Sequence, residues 1–164
     1  MSPSTASELG AHPLFASLSP SALERISTFT SHVAFQPGDI ILSEGGTAEV
    51  FYLLRRGKVA LSAHAPGKGH LLVQTLGPGE TLGLSWLFPP FLWQFDARAV
   101  ELVEALAIDG PGLRDKLEGD PGLGYELLKR FTPVVLERLQ QTRLRLLDLY
   151  GDRARADGHG LGQP

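Results

Sequence analysis

Apolar and polar positions follow three successive regimes along this chain of 164 residues. Leu14, Phe15 and Leu18 lead into Ser19-Pro20, an N-cap followed by proline in the first helical turn. Leu23 and Ile26 then give a helix over Pro20–Phe29 one apolar side. Beyond residue 30 the helical period gives way to short apolar runs. Candidate strands are Val33–Phe35, Ile40–Ser43, Val50–Leu54, Lys58–Ser62, Leu71–Leu76, Phe95–Val100 and Val103–Ile108. Pro37-Gly38, Gly45-Gly46, Arg56-Gly57, Pro66-Gly67 and Pro78-Gly79 punctuate them. Many short strands between such turns predict a mainly β sandwich, jelly roll or barrel, whose two sheets close over each other and hide their edges.

Helical signals return at Asp109-Gly110-Pro111, which opens a short helix through Leu117, and at Asp120-Pro121, which opens a longer one. Continuous from Pro121 to Tyr150, the second would be about 45 Å long. Pro133 inside it is expected to kink or divide it, and Gly151 to end it. Residues 1–10, small and polar, read as a flexible arm, and residues 151–164 as a disordered tail. One domain over residues 11–150 remains, with no internal repeat.

Val135, Leu139, Thr142, Leu146 and Leu149 recur at 4-3-4-3 spacing, which makes a seam between helices. A β-domain of this size has a radius of gyration of about 13–14 Å, so a helix of that length would reach past it. A second copy of the same helix is the simplest cover for the apolar stripe, giving a homodimer. The alternative is that the helix folds back on its own sandwich.

Composition narrows the function. A net charge of −3 argues against bulk electrostatic attraction to nucleic acid. With no cysteine there is no disulfide, thiolate nucleophile or cysteine-ligated cluster. No apolar run approaches the roughly 20 residues of a membrane span, and the first residues lack the pattern of a signal peptide, so a cytoplasmic protein is expected. His12, His32, His64, His70 and His159 show no metal-ligand spacing. No nucleophile motif or P-loop points to catalysis. Lys129, Arg130, Arg138, Arg143, Arg145, Arg153 and Arg155 make the C-terminal part basic, which suits the end of a helix.

The densest chemistry lies in Gly77-Pro78-Gly79-Glu80-Thr81-Leu82-Gly83-Leu84-Ser85-Trp86 and the following Trp93-Gln94. A glycine-rich turn running into a short helical segment aims free backbone N–H groups at a pocket, as anion sites do. Trp86, Phe88, Phe91, Trp93 and Phe95 cluster around Pro89-Pro90, which keeps that helical segment short. These rings either wall a pocket for an apolar or planar ligand or plug it and complete the core.

In order, His12-Pro13-Leu14-Phe15, Phe35-Gln36-Pro37-Gly38-Asp39-Ile40-Ile41, Glu44-Gly45, Phe51-Tyr52-Leu53-Leu54, Gly57-Lys58-Val59 and Leu76-Gly77-Pro78-Gly79-Glu80 resemble the cyclic nucleotide-binding domain. The sensory half of the catabolite-activator/Fnr-type regulators is its best-known form. Asp120-Pro121 and Glu137-Arg138-Leu139-Gln140-Gln141-Thr142 extend the likeness, which covers roughly residues 11–150. It implies a double-stranded β-helix, or jelly roll, with a long C-terminal dimerisation helix over 121–150. It also implies a cyclic nucleotide or other small ligand; the residues themselves fix no cofactor and no metal.

The ligand cassette departs from the family pattern, Gly-Glu-Leu-Ala followed some six residues later by Arg-Ser/Thr-Ala. Aligning Gly83 with its first glycine puts Leu84 where a glutamate accepts from the ribose, Trp93 where an arginine pairs with the phosphate, and Gln94 at the hydroxyl position. A slipped alignment, with a five-residue insertion, would bring in Arg98. Thr142 matches the family's threonine that reaches the nucleobase across the dimer. The candidate ligand residues are therefore Glu80, Gly83, Leu84, Ser85, Trp86, Trp93, Gln94, Arg98 and Thr142.

Two functions follow. The first is a stand-alone sensory domain that binds a small ligand in an altered mode and signals through the dimer helix or an unknown partner protein. The second is a dimerisation module that binds none, its pocket filled by aromatic side chains. The resembled regulators read DNA through a further domain after the long helix, so direct DNA binding is not expected here.

Overall fold

The computed structural model describes residues 4–158, with side chains as far as Gly151. The chain divides into two compact units, residues 1–128 and residues 129–164. In the first unit, α1 (Thr5–Ala11), a 3-10 turn (Pro13–Phe15) and α2 (Pro20–Ser27) precede eight strands. These are β1 (Thr30–Phe35), β2 (Ile40–Leu42), β3 (Val50–Arg56), β4 (Val59–Ala65), β5 (Gly69–Leu76), β6 (Thr81–Leu82), β7 (Asp96–Ala99) and β8 (Val103–Asp109). A 3-10 turn at Leu84–Trp86 lies between β6 and β7, and α3 (Gly110–Gly119) and α4 (Pro121–Gly158) follow β8.

The strands form two four-stranded antiparallel sheets, β1-β8-β3-β6 and β2-β7-β4-β5. The first strand pairs with the eighth, the second with the seventh, the third with the sixth and the fourth with the fifth. That nesting is a long hairpin rolled up on itself, so the jelly roll that the resemblance implies, one of three architectures the turn pattern left open, is present. The core lies between the sheets: Phe51, Leu53, Val59, Leu61, Ala97, Ala99, Leu106 and Ile108 are all buried. Gly57 shows why one turn must be glycine. Its φ is +90°, and a Cβ there would lie 2.1 Å from the Leu102 carbonyl oxygen.

Two local expectations are corrected and a third is narrowed. The N-terminal residues are not a loose arm from residue 4 onward: the Ser4 side chain caps the Ser7 N–H, and α1 buries Ala6 and Leu9. That spacing of three is a short apolar stripe masked by the surrounding serines. Pro133 does not divide the long helix, although it removes one N–H from the ladder. Gly151 does not end it either, because it stays out of the left-handed conformation a terminating glycine adopts. Residues 1–3 of the expected arm and 159–164 of the expected tail lie outside the described residues.

In the second unit, Val135, Leu136, Leu139, Leu144, Leu146, Leu147, Leu149 and Tyr150 are exposed. Leu139 and Leu149 reach 64% and 66% exposure.

Candidate functional site

The cassette begins in the turn between β5 and β6. Glu80 folds back there, its carboxylate accepting the Gly77 N–H at 2.6 Å. The backbone of the same turn joins β3: the Leu54 N–H donates to the Glu80 carbonyl, and the Gly79 N–H to the Leu54 carbonyl, both at 2.9 Å. Beneath it lies buried His12, whose Nδ1 accepts the Leu14 N–H at 3.2 Å. Burial lowers the His12 pKa, an effect only partly opposed by the Glu80 and Leu54 carbonyls.

After β6 the chain turns through Gly83, left-handed at φ 94°, into the single 3-10 turn Leu84–Trp86. Leu84 and Ser85 are half-buried, whereas Trp86 is fully buried and stacks on Phe51, with ring centroids 4.6 Å apart and planes 11° from parallel. The segment then loops back beside residues 45–48. Trp93 N–H donates to the Gly46 carbonyl at 2.8 Å, Gly45 N–H to the Trp93 carbonyl at 2.9 Å and Ala48 N–H to the Phe91 carbonyl at 2.7 Å.

This pairing seats the Trp93 indole between two glycines. A Cβ at Gly83 would stand 2.9 Å from Cζ3 and 3.0 Å from Cη2 of the ring; one at Gly46 would stand 3.1 Å from Cδ1. Trp93 is only 9% exposed. The position aligned with a phosphate-pairing arginine therefore carries a buried apolar ring pressed against the cradle's own glycine. Gln94 is exposed and its amide donates to the Leu92 carbonyl at 3.1 Å, away from that seat.

The aromatic cluster thus splits. Trp86 and Trp93 are buried, Phe91 and Phe95 half-buried, and Phe88 exposed. Arg114 of α3, not singled out in the sequence, holds the loop's two ends. Its guanidinium donates to the Trp86 carbonyl and lies 3.9 Å from the centre of the Phe91 ring. Gly110, at the start of α3, would place a Cβ 3.1 Å from the Trp86 Cβ. Gly46 and Arg114 are the residues that sequence reasoning missed. The Gly45-Gly46 doublet read only as a turn, and nothing local marks Arg114.

Two candidates lie elsewhere. Arg98 is exposed on β7, opposite Ile40 and Ala60 in the other sheet. Thr142 belongs to the second unit, where its hydroxyl donates to the Arg138 carbonyl of its own helix at 2.9 Å. Gly83, Leu84, Ser85, Trp86 and Trp93 are brought together. Glu80 and Gln94 border them with side chains committed locally.

Residues 32–120 match the family model of the cyclic nucleotide-binding domain. The chain belongs to that family. It is 27% identical over 136 residues to the CRP-like cAMP-activated global transcriptional regulator of Mycobacterium tuberculosis, covering 83% of this chain and 59% of that protein. This family member therefore spans about three fifths of the relative it matches. A Geobacter metallireducens protein of the cyclic nucleotide-binding class superimposes with a TM-score of 0.73 at 30% identity, over 80% of this chain and 96% of the other. The Thermus thermophilus catabolite activator protein does so with a TM-score of 0.68 at 26% identity, over 87% and 65%. Among the described residues no helix is long and apolar enough to cross a membrane.

Proposed function

We propose that this domain is a regulatory module whose ligand seat is closed by its own side chain, and that it acts by pairing through the exposed stripe of α4. The indole of Trp93 against Gly46 and Gly83 carries the first half. A cyclic phosphate brought to Gly83 would have to expel that ring, and no guanidinium stands at the aligned position to receive it. Losing one partner of a buried charge-assisted contact costs about 2–5 kcal/mol, and about 1.4 kcal/mol is a decade in affinity. Leu84 also withdraws the acceptor for a ribose hydroxyl. The Mycobacterium tuberculosis relative is cAMP-activated; for this chain we expect no such activation in the family's usual mode.

Titration calorimetry with cAMP and cGMP tests the reading. The unaltered chain is expected to show no low-micromolar binding, and Leu84→Glu with Trp93→Arg to gain about tenfold or more. Low-micromolar binding by the unaltered chain overturns closure. It would favour the second reading, a sensor that takes a small ligand in an altered pose. The observation supporting that reading is the retained left-handed Gly83 at the head of a 3-10 turn with no side-chain cap.

The second half rests on the exposed Val135, Leu139, Leu146 and Leu149. Sedimentation should give a homodimer, and Leu139→Glu with Leu146→Glu a folded monomer. A monomeric parent chain at tens of micromolar would sink pairing and leave an unknown partner protein as the cover. Arg114 supplies a route from the cassette loop into α3. The cassette offers indoles and glycines without a nucleophile–base pair, so we assign it no reaction. A cytoplasmic setting belongs to the same proposal.

A further inference from the structure

On β7, Ala97 and Ala99 are buried while Arg98 is exposed and Asp96 half-buried, so residues 96 and 98 face away from the core. The register places Arg98 opposite Ile40 of β2 and Ala60 of β4, and Asp96 opposite Ser62. A register shift between Ile40 and Leu42 loosens the β2–β7 boundary. There Ile40, Ser43, Ser62, His70, Asp96 and Arg98 line a cavity of about 390 Å³, within the size range of small-molecule sites.

Its rim is organised by side chains already committed. Asp96 Oδ1 accepts the Glu44 N–H at 2.7 Å, and its Oδ2 lies 3.0 Å from His70 Nδ1. Glu44 in turn accepts the His64 N–H at 3.1 Å. Both Asp96 oxygens are thus occupied, whereas Arg98 makes no ion pair among the described residues. Its strand neighbour Ala60 is too small to cover it. The Ser43 and Ser62 hydroxyls and the apolar Ile40, 61% exposed, complete the wall.

We infer that this outer sheet face is a binding site for a small organic anion, a carboxylate or phosphate monoester with an apolar body, held by Arg98. The guanidinium fork matches the two oxygens of either headgroup, the serines serve its remaining lone pairs, and Ile40 covers the body. The site is independent of the cassette and does not require the Trp93 seat to be open or closed.

The test is an amide-resolved NMR titration of the whole chain with benzoate, phenyl phosphate and, as the neutral control, benzamide. Shifts are expected at Ser43, Ser62, Ala97 and Arg98, with an anion binding at least about tenfold tighter than benzamide. The relative strength of the two anions names the headgroup. Arg98→Gln, at an exposed position where folding is undisturbed, should reduce the anion to the benzamide level while the rest of the spectrum stays in place. Equal binding of benzamide, anion affinity surviving Arg98→Gln, or shifts absent from these residues would each overturn the site.

Discussion

Between Gly46 and Gly83 the roll presents bare backbone to an indole; on the outer face of the other sheet it presents a guanidinium to solvent. The first region has the frame of an anion cradle and an apolar occupant. The second holds a guanidinium without an ion-pair partner among the described residues, beside a cavity. Loop geometry and charge placement have thus been separated. A glycine turn marks where backbone can approach a ligand closely; which ligand comes depends on the side chain opposite it. That residue is Trp93, from a segment ten residues further along the chain.

The comparison breaks most readily at Trp93. Trp93→Ala removes a buried ring and should cost about 3–5 kcal/mol, read as a lowered urea midpoint. Arg98→Gln on the open face should stay within about 0.5 kcal/mol. A Trp93→Ala loss as small as that of Arg98→Gln would mean that the indole does not complete the core. Gly83→Ala comes next, because its φ of 94° is strained for any residue with a Cβ and the added methyl meets the ring at 2.9 Å. About 1–3 kcal/mol is expected from strain alone. Partial relief when Gly83→Ala is combined with Trp93→Leu would tie the cost to that contact.

Much of this architecture is readable in one dimension. Gly38, Gly45, Gly57 and Gly79 all take positive φ, as turn positions between short strands require, and both proline-initiated helix starts fall where Ser19 and Asp120 cap them. The jelly roll itself follows from the family resemblance, because many short strands between turns leave sandwich, jelly roll and barrel all open. What escaped is non-local. β6 has two residues, too few to show any alternation. That Trp93 would meet Gly46 rather than solvent depends on a return path that places residues 91–93 beside 45–48. Arg114 carries no local signal because its partners, the Trp86 carbonyl and the Phe91 ring, lie 28 and 23 residues away in sequence. Arg98 could be considered for the phosphate role by shifting an alignment, and only the pleat of β7 shows that it faces outward.

Arg114 sharpens the closed side further. Arg114→Met keeps the side-chain length but removes both the hydrogen bond to the Trp86 carbonyl and the charge over Phe91. A loss of about 1–2 kcal/mol is expected, with faster amide exchange in residues 86–93 and unchanged exchange in β7. Exchange accelerated equally in both would show that Arg114 supports the roll generally and is not the latch of this loop.

Acid should distinguish the two regions by the smallest effect. His12 lies on the closed side, under the Gly79-Glu80 turn, and its Nδ1 accepts the Leu14 N–H. Protonation makes both ring nitrogens donors, so that bond must be surrendered inside a buried site. Burial accordingly holds the folded pKa below the ordinary histidine value of 6.5. Between those two values the unfolded chain binds the proton and the folded chain does not, so stability rises with pH. The His12 contribution is complete above 6.5 and is lost progressively as pH falls from 6.5 toward the lowered folded value. Urea midpoints from pH 7.5 to 5 should decline over that window, and His12→Gln should flatten the decline there. An unchanged slope in His12→Gln would move the acid sensitivity elsewhere and remove the histidine as the prop beneath the cassette turn.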